Sequence, residues 1–265
     1  MKSHFLTPLL ASIIIACTAS AAEKKTILLI GKQPDHPHGT HMYLHTCKVL
    51  AKCLELTEGI EAVVSDGWPD DVDLLKRTDS IVVYTNPAAE LLLLGKPAKQ
   101  IDLMMKSGVG LVTIHWASSV FQKNFDRLGA KWMSYLGGTW ISNVGIMIGE
   151  SDLKQLAPDH PVSRGWKPYL LRDEWYLKPT IGPEATPFLQ VTAKGEGLVV
   201  AWAFERPGGG RSYGTTLGHF YDNFQNDAFR RTIVNAALWT AGLEVPAQGA
   251  PVNISKAALQ LPPAK

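Results

Sequence analysis

The sequence is poor in cysteine, and this shortage excludes a fold held together by disulfides. Only 3 of its 265 residues are cysteine, and Cys17 lies in the first segment of the chain. Cys47 and Cys53 lie on one predicted helix, where their spacing in the sequence places them about 9 Å apart along the axis, beyond the reach of a disulfide. We therefore expect two buried free thiols that pack as small apolar groups.

The sequence also lacks an excess of charge of either sign. Its 26 Lys and Arg residues nearly balance 24 Asp and Glu residues, which gives a formal net charge of +2 at pH 7. Because these charges are spread along the chain, no basic surface for nucleic acid is predicted. The hydrophobic share of 46% excludes intrinsic disorder, which requires a chain too polar to form a core.

Glycine-rich nucleotide-binding motifs are absent as well. Gly31-Lys32, after the first predicted strand, is not a dinucleotide fingerprint. Gly208-Gly209-Gly210 joins two predicted strands and is followed by no predicted helix, so it is not a phosphate-binding loop. The sequence therefore predicts no nucleotide cofactor.

The first 21 residues have the features of a signal peptide. Residues 5–16 form a mostly apolar run, which is shorter than the roughly 20 residues that span a bilayer. Ala19-Ser20-Ala21 offers a cleavage site. We expect an exported protein, periplasmic or extracellular, with no membrane span. The alternative is a lipid anchor, because residues 14–17 resemble a lipobox ending at Cys17, the residue that would be acylated.

Predicted strands and helices alternate through the first half of the chain. Apolar runs typical of buried parallel strands occur at residues 26–31, 61–65, 80–85 and 110–115. Helical patterns lie between them, and the first, residues 40–57, begins with Thr40 as its N-cap. Four such units in under 100 residues indicate an α/β fold with an open, mostly parallel sheet and helices on both faces.

The second half of the chain is less regular. It is predicted to contain a strand, a hairpin and an amphipathic helix, at residues 143–149, 197–217 and 227–241. Residues 160–187, rich in proline and aromatic side chains, are expected to form a long ordered loop. No linker divides the chain, so residues 22–245 are predicted to form one domain, followed by an extended tail at residues 246–265.

Histidines follow the predicted strand ends at one edge of the sheet, where ligands of doubly wound sheets bind. His38, His41 and His45 follow the first strand, His115 follows the fourth, and His219 follows the hairpin. Imidazoles from distant segments are typical ligands of a catalytic divalent metal. We predict a divalent ion, with zinc favoured, bound by His38, His41, His115 and His219. The alternative is that these are polar loop residues or hydrogen-bonded core histidines.

A second polar cluster is Asp173-Glu174, which is flanked by Trp175 and Tyr176. Paired carboxylates can supply a metal ligand or a general base. Aromatic faces beside carboxylates also suit a sugar-binding cleft. The alternative is a solvated loop, or an ion pair with Arg172.

Tryptophan is abundant, with eight residues in the chain. Trp239, on the last predicted helix, is expected to lie in the core, whereas Trp116, Trp140 and Trp175 are candidates for the wall of a site. The residues predicted to contact a substrate follow strand ends or belong to the acidic and aromatic cluster: Asn86, Trp116, Asp173, Trp175, Tyr176 and Tyr221.

Several segments together resemble the ThuA-like (trehalose utilisation) domain. The matching segments are residues 110–115, Asp173-Glu174-x-Tyr176, Val200-Ala-Trp202, Gly210-Arg-x-Tyr-x-Thr-Thr-Leu-Gly-His219 and residues 229–242. Their order and spacing fit the family from residue 26 to residue 242, and the segment ending at His219 is the most specific. The family belongs to the class I glutamine amidotransferase-like superfamily, so the resemblance implies a flavodoxin-like sheet.

The resemblance also implies which chemistry is missing. Amidotransferases of that superfamily use a cysteine after a central strand, with a later histidine and a glutamate two residues beyond it. Here His115 stands in the place of the cysteine, His219 is retained, and Tyr221 replaces the glutamate. Glutaminase chemistry is therefore not expected, because the nucleophile and the carboxylate that orients the base are absent.

The family's association with disaccharide and keto-sugar catabolism implies a small carbohydrate ligand. One hypothesis is a sugar-processing enzyme that acts on an oxidised glycoside or similar polyol, by proton abstraction beside a carbonyl or by hydrolysis. His115, His219 and Glu174 would be its catalytic residues. The alternative is a non-catalytic carbohydrate-binding domain. Whether the enzyme would be a hydrolase, lyase or isomerase is left open by the sequence, as is the oligomeric state.

Overall fold

A computed structural model describes residues 24–142 and 144–264. The predicted leader at residues 1–21, including Cys17, lies outside the described residues. Across the described ranges, no helix is both long enough and apolar enough to cross a bilayer.

An eight-stranded sheet forms the centre of the molecule. The strands in chain order are β1 (Lys25–Gly31), β2 (Ile60–Asp66), β3 (Thr78–Val83), β4 (Gly110–Ile114), β5 (Ser119–Phe121), β6 (Gly138–Ser142), β7 (Ile146–Asp152), β8 (Lys154–Gln155), β9 (Leu170–Tyr176), β10 (Thr180–Ile181), β11 (Thr186–Ala193), β12 (Glu196–Glu205) and β13 (Arg211–Thr215). The order in the central sheet is β2-β1-β3-β4-β13-β12-β11-β8. The first five strands in this order, which end with β13, run parallel to one another. The last three, β12, β11 and β8, extend the sheet in antiparallel pairs.

Helices cover both faces of this sheet. They are α1 (Tyr43–Leu54), α2 (Val72–Arg77), α3 (Ala88–Leu93), α4 (Pro97–Lys106), α5 (Phe125–Leu136), α6 (Asp227–Thr240) and α7 (Lys256–Leu259). Alternate residues of β1 enter different cores: Ile27 lies in the core with residues of α1 and α6, whereas Leu28 lies in the core with residues of α3, α4 and α5. Burial on both faces explains the unbroken apolar runs of the parallel strands. The predicted α/β fold class and the hairpin of β12 and β13 are confirmed.

The segment expected to be a loop, residues 160–187, contains β9, β10 and the start of β11. β9 pairs with β7 in a two-stranded antiparallel ribbon, which we call the β7–β9 ribbon. The charged residues Arg172, Asp173 and Glu174 interrupt the apolar pattern, which is why the sequence does not indicate a strand there. Hydrogen bonding to β7 overrides that local signal.

The first helix begins at Tyr43 rather than at Thr40. Thr40 instead forms an antiparallel bridge with Phe220, and the backbone N–H of His41 donates to the carbonyl of His219 at 3.1 Å. A φ of 47° at His41 excludes that residue from a right-handed helix. The loops after β1 and β13 are therefore joined before α1 begins.

The end of the chain, expected to be an extended tail, lies against the domain. Ala250 and Val252 are buried. The N–H of Ala250 donates to Asn235 Oδ1 at 2.8 Å, and the carbonyl of Val252 accepts from Arg230 at 3.2 Å. Buried polar groups need such partners, so these side chains of α6 hold the segment in place before α7.

Cys47 and Cys53 are free and buried on α1, which confirms that prediction. Burial also raises the pKa of both thiols, so each is expected to react with a thiol reagent only after denaturation. A reducing agent is expected to leave the melting temperature unchanged. A drop of several degrees in calorimetry would contradict this, because a structural disulfide contributes roughly 2–4 kcal/mol.

Candidate metal centre

Three imidazoles meet at the edge where the parallel strands end. The Nε2 atom of His41 is 3.0 Å from Nδ1 of His219 and 3.0 Å from Nε2 of His115. The last two nitrogens are 3.3 Å apart. Tetrahedral coordination with bonds of about 2.0–2.1 Å separates neighbouring ligand atoms by about 3.3 Å. These three residues, which we call the histidine triangle, therefore have the size of one face of a tetrahedral metal site.

The backbone is strained at two corners of the histidine triangle. His115 directly follows β4 and has a φ of 56°, while His41 has a φ of 47°. A left-handed conformation costs a non-glycine residue about 1–3 kcal/mol, and such costs concentrate at functional sites. Both strained residues aim a ring nitrogen at the same point.

His219, the third corner of the histidine triangle, is positioned by a turn and a buried carboxylate. Gly218 has a φ of 115°, and a Cβ there would lie 3.0 Å from the side chain of Ile114. The carboxylate of Asp173 accepts the N–H groups of Gly218 and His219 at 2.6 and 3.0 Å, and that of Glu174 at 2.9 Å. Burial raises the pKa of Asp173 to about 7, although these backbone bonds act in the opposite direction.

Asp173 therefore fixes the loop of His219. It was predicted to contact a substrate, but its side chain is fully buried and bound to backbone. It lies on the opposite face of β9 from Glu174, because successive residues of a strand point to opposite faces.

Hydrogen-bond acceptors at the outer ring nitrogens of His115 and His41 determine which nitrogens carry protons. His115 Nδ1 lies 2.8 Å from the carbonyl of Thr216, which can only accept, so Nδ1 is the donor and Nε2 holds a lone pair. His41 Nδ1 lies 3.0 Å from Asp35 Oδ1. Burial raises the pKa of Asp35, but hydrogen bonds from His41 and His36 outweigh it and lower the pKa to about 2, so this carboxylate also accepts.

The consequence is that His41 and His115 point two lone pairs at each other across 3.0 Å. A cation between the two nitrogens would satisfy both lone pairs. Outer-shell acceptors that fix the tautomer in this way are typical of metal-bound histidines. The donor set and its proton positions thus fit a divalent ion.

The histidines of the triangle are held in the neutral form that binds metals. Burial lowers the pKa of His115 well below its ordinary value, and the charge of a protonated His41 would lower it further. Burial likewise lowers the pKa of His41. The pKa of His219 falls to about 4, through burial and then through the repulsion that protonated His41 or His36 and the charge of Arg172 would exert on a second proton.

Two further side chains reach the histidine triangle from β9. Glu174 Oε1 lies 3.7 Å from His219 Nδ1 and 3.8 Å from His115 Nε2, and burial raises the pKa of Glu174. The hydroxyl of Tyr176 lies 2.9 Å from His115 Nε2. The ring of Tyr176 stacks on that of Trp140, with centroids 3.9 Å apart. A carboxylate and a phenol thus stand beside the nitrogens of the histidine triangle, where they can exchange protons with a ligand.

Trp116 forms part of the wall of the site. It directly follows His115, and its ring lies 5.8 Å from that of His41. Its indole N–H donates to Ser142 Oγ at 3.0 Å. The side chain is half-buried, so one part of the ring remains available to a ligand.

Other predicted site residues lie away from the histidine triangle. His38 is exposed and donates from Nε2 to the carbonyl of Pro262 at 2.8 Å, away from the predicted metal position. Trp175 is fully buried in the core. Tyr221 donates to the carbonyl of Leu259 at 2.7 Å. Asn86 is half-buried, and within the described ranges its side chain makes no hydrogen bond.

Three residues of the site were not predicted from the sequence. Asp35 orients His41, and the hydroxyl of Tyr43 lies 2.7 Å from His41 Nδ1. The ring of His36 lies 3.7 Å from that of His41. Asp35 and His36 follow β1 in the same loop as His41, so an acidic residue shortly before a predicted ligand was the available signal.

The comparisons with known proteins agree with this fold. The sequence model of the ThuA family, described as trehalose utilisation, matches residues 31–240. The chain belongs to the ThuA family. No protein of curated function matches it.

Solved structures show the same fold as this ThuA chain at low sequence identity. A ThuA-like protein from Bacteroides uniformis is 15% identical with a TM-score of 0.65, and the match covers 89% of this chain and 98% of that one. A ThuA-like protein from Parabacteroides merdae is 15% identical with a TM-score of 0.62, covering 91% and 100%. A glutamine amidotransferase from Thermotoga maritima is 9% identical with a TM-score of 0.50, covering 83% and 99%.

This ThuA chain has the amidotransferase-like fold without the amidotransferase nucleophile. The residue after β4 is His115, and both cysteines among the described residues lie buried in α1. Tyr221, at the place of the superfamily's glutamate, binds the end of the chain rather than His219. The histidine triangle lies at the edge of the sheet where the parallel strands end.

Proposed function

We propose that this protein is an exported, metal-dependent enzyme that processes a small carbohydrate. The observation that supports it most is the histidine triangle, in which His41 and His115 direct unprotonated nitrogens at one point. The predicted signal peptide supports export, and membership of a trehalose-utilisation family supports a sugar substrate.

The ion would be held by His41, His115 and His219, with zinc favoured because neutral imidazoles are its common ligands. A bound zinc ion supplies Lewis-acid polarisation of a carbonyl oxygen or an acidified water. Glu174 lies within 4 Å of His115 Nε2 and His219 Nδ1, so it can serve as base or as a further ligand.

Glu174 is the proposed general base. Its side chain is 11% exposed, and burial raises its pKa. The raised pKa increases its affinity for a proton taken from a carbon beside a carbonyl or from water. Tyr176 donates a hydrogen bond to an oxygen of the substrate. Trp116 supplies an aromatic surface for the apolar face of a sugar ring.

Glu174→Gln is expected to lower turnover of an oxidised glycoside by about 10²–10⁴-fold, because the amide cannot accept the proton. Zinc content is expected to be unchanged. The measurement is product analysis of zinc-loaded protein incubated with oxidised glycosides and their parent glycosides. The matched control is Glu184→Gln, at an exposed residue between β10 and β11.

Equal turnover in Glu174→Gln and Glu184→Gln would contradict the assignment of the base. Sugar binding by the wild-type protein without any product would instead favour the non-catalytic carbohydrate-binding alternative.

A further inference from the structure

One face of β9 extends from the histidine triangle toward solvent. Residues alternate along a strand, so Arg172, Glu174 and Tyr176 lie on the same face. Glu174 and Tyr176 reach the histidine triangle, and Arg172 is exposed at the outer end of this face. Two residues along a strand span about 7 Å, roughly the length of one monosaccharide. Arg172 is thus separated from Glu174, the proposed base, by about the length of one monosaccharide.

The guanidinium of Arg172 is held by an aromatic ring that belongs to the site. Its central carbon lies 4.4 Å from the ring centroid of Phe220. Phe220 directly follows the ligand residue His219, and their rings are 4.7 Å apart, edge to face. Stacking on an aromatic ring restricts an otherwise flexible arginine. The charge is therefore fixed beside the histidine triangle rather than spread over the surface.

Within the described ranges, this guanidinium has no ion-pair or hydrogen-bond partner in the protein. Arg77, Arg164 and Arg230 form ion pairs with carboxylates. Arg172 forms neither an ion pair nor a side-chain hydrogen bond there, although Glu150 lies opposite it in the β7–β9 ribbon. Its donors are free to bind a ligand, and the planar fork of a guanidinium matches a carboxylate or a phosphate.

We propose that Arg172 forms an anion subsite at the mouth of the histidine triangle, so that the substrate is a sugar bearing a carboxylate or a phosphate. The reacting carbon lies at Glu174, and the anionic group lies about one ring away at Arg172. This inference rests on the proposed function, whose sugar ligand it makes specific. Arg172 acts as a specificity residue and takes no part in proton transfer.

The test is calorimetric titration of zinc-loaded full chain at low ionic strength with three probes: glucuronate, glucose 6-phosphate and glucose. Wild type is expected to bind at least one anionic probe more tightly than glucose. Arg172→Gln is expected to weaken binding of that probe about tenfold or more, the value of a charge-assisted hydrogen bond, and to leave glucose affinity unchanged. Arg127→Gln, an exposed arginine on α5, is the matched control.

A preference for glucuronate identifies a carboxylate as the bound group, and a preference for glucose 6-phosphate identifies a phosphate. Equal affinity of Arg172→Gln and wild type for both anions would overturn the proposal, as would binding of none of the probes. Zinc content is measured on the same samples. If only the anion subsite is wrong, the protein still binds zinc. If the proposed metal-dependent function is wrong, the protein holds no zinc.

Discussion

His115→Asn is expected to weaken zinc binding by about two orders of magnitude while the protein remains folded. Structural zinc sites bind with roughly 10–16 kcal/mol in total, so one ligand of four contributes about 3 kcal/mol, or about 100-fold in Kd. Asparagine is the matched choice because it tolerates the left-handed backbone found at His115. Its side chain is too short to bring a donor to the position of Nε2.

The measurement is competition for zinc against a chromophoric chelator. His160→Asn is the control, because His160 is a half-buried histidine that packs on Trp239 outside the site. An asparagine can also retain its acceptor bond to the N–H of Val162. Equal zinc affinity in the two variants would contradict the role given to His115.

Asp173→Ala is expected to lower the free energy of unfolding by about 3–5 kcal/mol. The carboxylate accepts three buried backbone N–H groups, from Glu174, Gly218 and His219. Alanine leaves them without an acceptor, and each unsatisfied buried donor costs about 1–3 kcal/mol. The loop of His219 is also released, so zinc affinity is expected to fall together with stability.

Urea denaturation of the zinc-free protein separates the two effects. Asp152→Ala, on the exposed part of β7, is expected to change the free energy of unfolding by less than about 0.5 kcal/mol. Asp173→Asn keeps one acceptor oxygen, so its loss in the free energy of unfolding is expected to lie between those of Asp173→Ala and Asp152→Ala. A loss in Asp173→Ala no larger than in Asp152→Ala would show that the carboxylate does not hold this loop.

The fold was predictable because its central strands are buried on both faces. Continuous apolar runs such as β1 and β4 can be identified without knowing their neighbours. The histidine triangle followed from the rule that the ends of parallel strands meet at one edge. His41, His115 and His219 could therefore be grouped, although they are far apart in the sequence.

The residues around the histidine triangle were harder to predict, because the direction of their side chains depends on β9 being a strand. Once β9 is known to be a strand, alternation directs Asp173 and Trp175 away from the site and Glu174 and Tyr176 toward it. No such alternation is visible in the sequence, because β9 has charged residues where a strand usually has apolar ones. The position of His38 likewise depends on a distant partner, the carbonyl of Pro262, which no local pattern indicates.

Anomalous X-ray scattering tests the central claim, that three histidines form a metal centre. Crystals of the wild-type protein grown with zinc would be measured on both sides of the zinc absorption edge. We expect an anomalous peak about 2 Å from Nε2 of His41, Nε2 of His115 and Nδ1 of His219. A map with no peak among these nitrogens, in crystals that contain zinc, would contradict the metal centre.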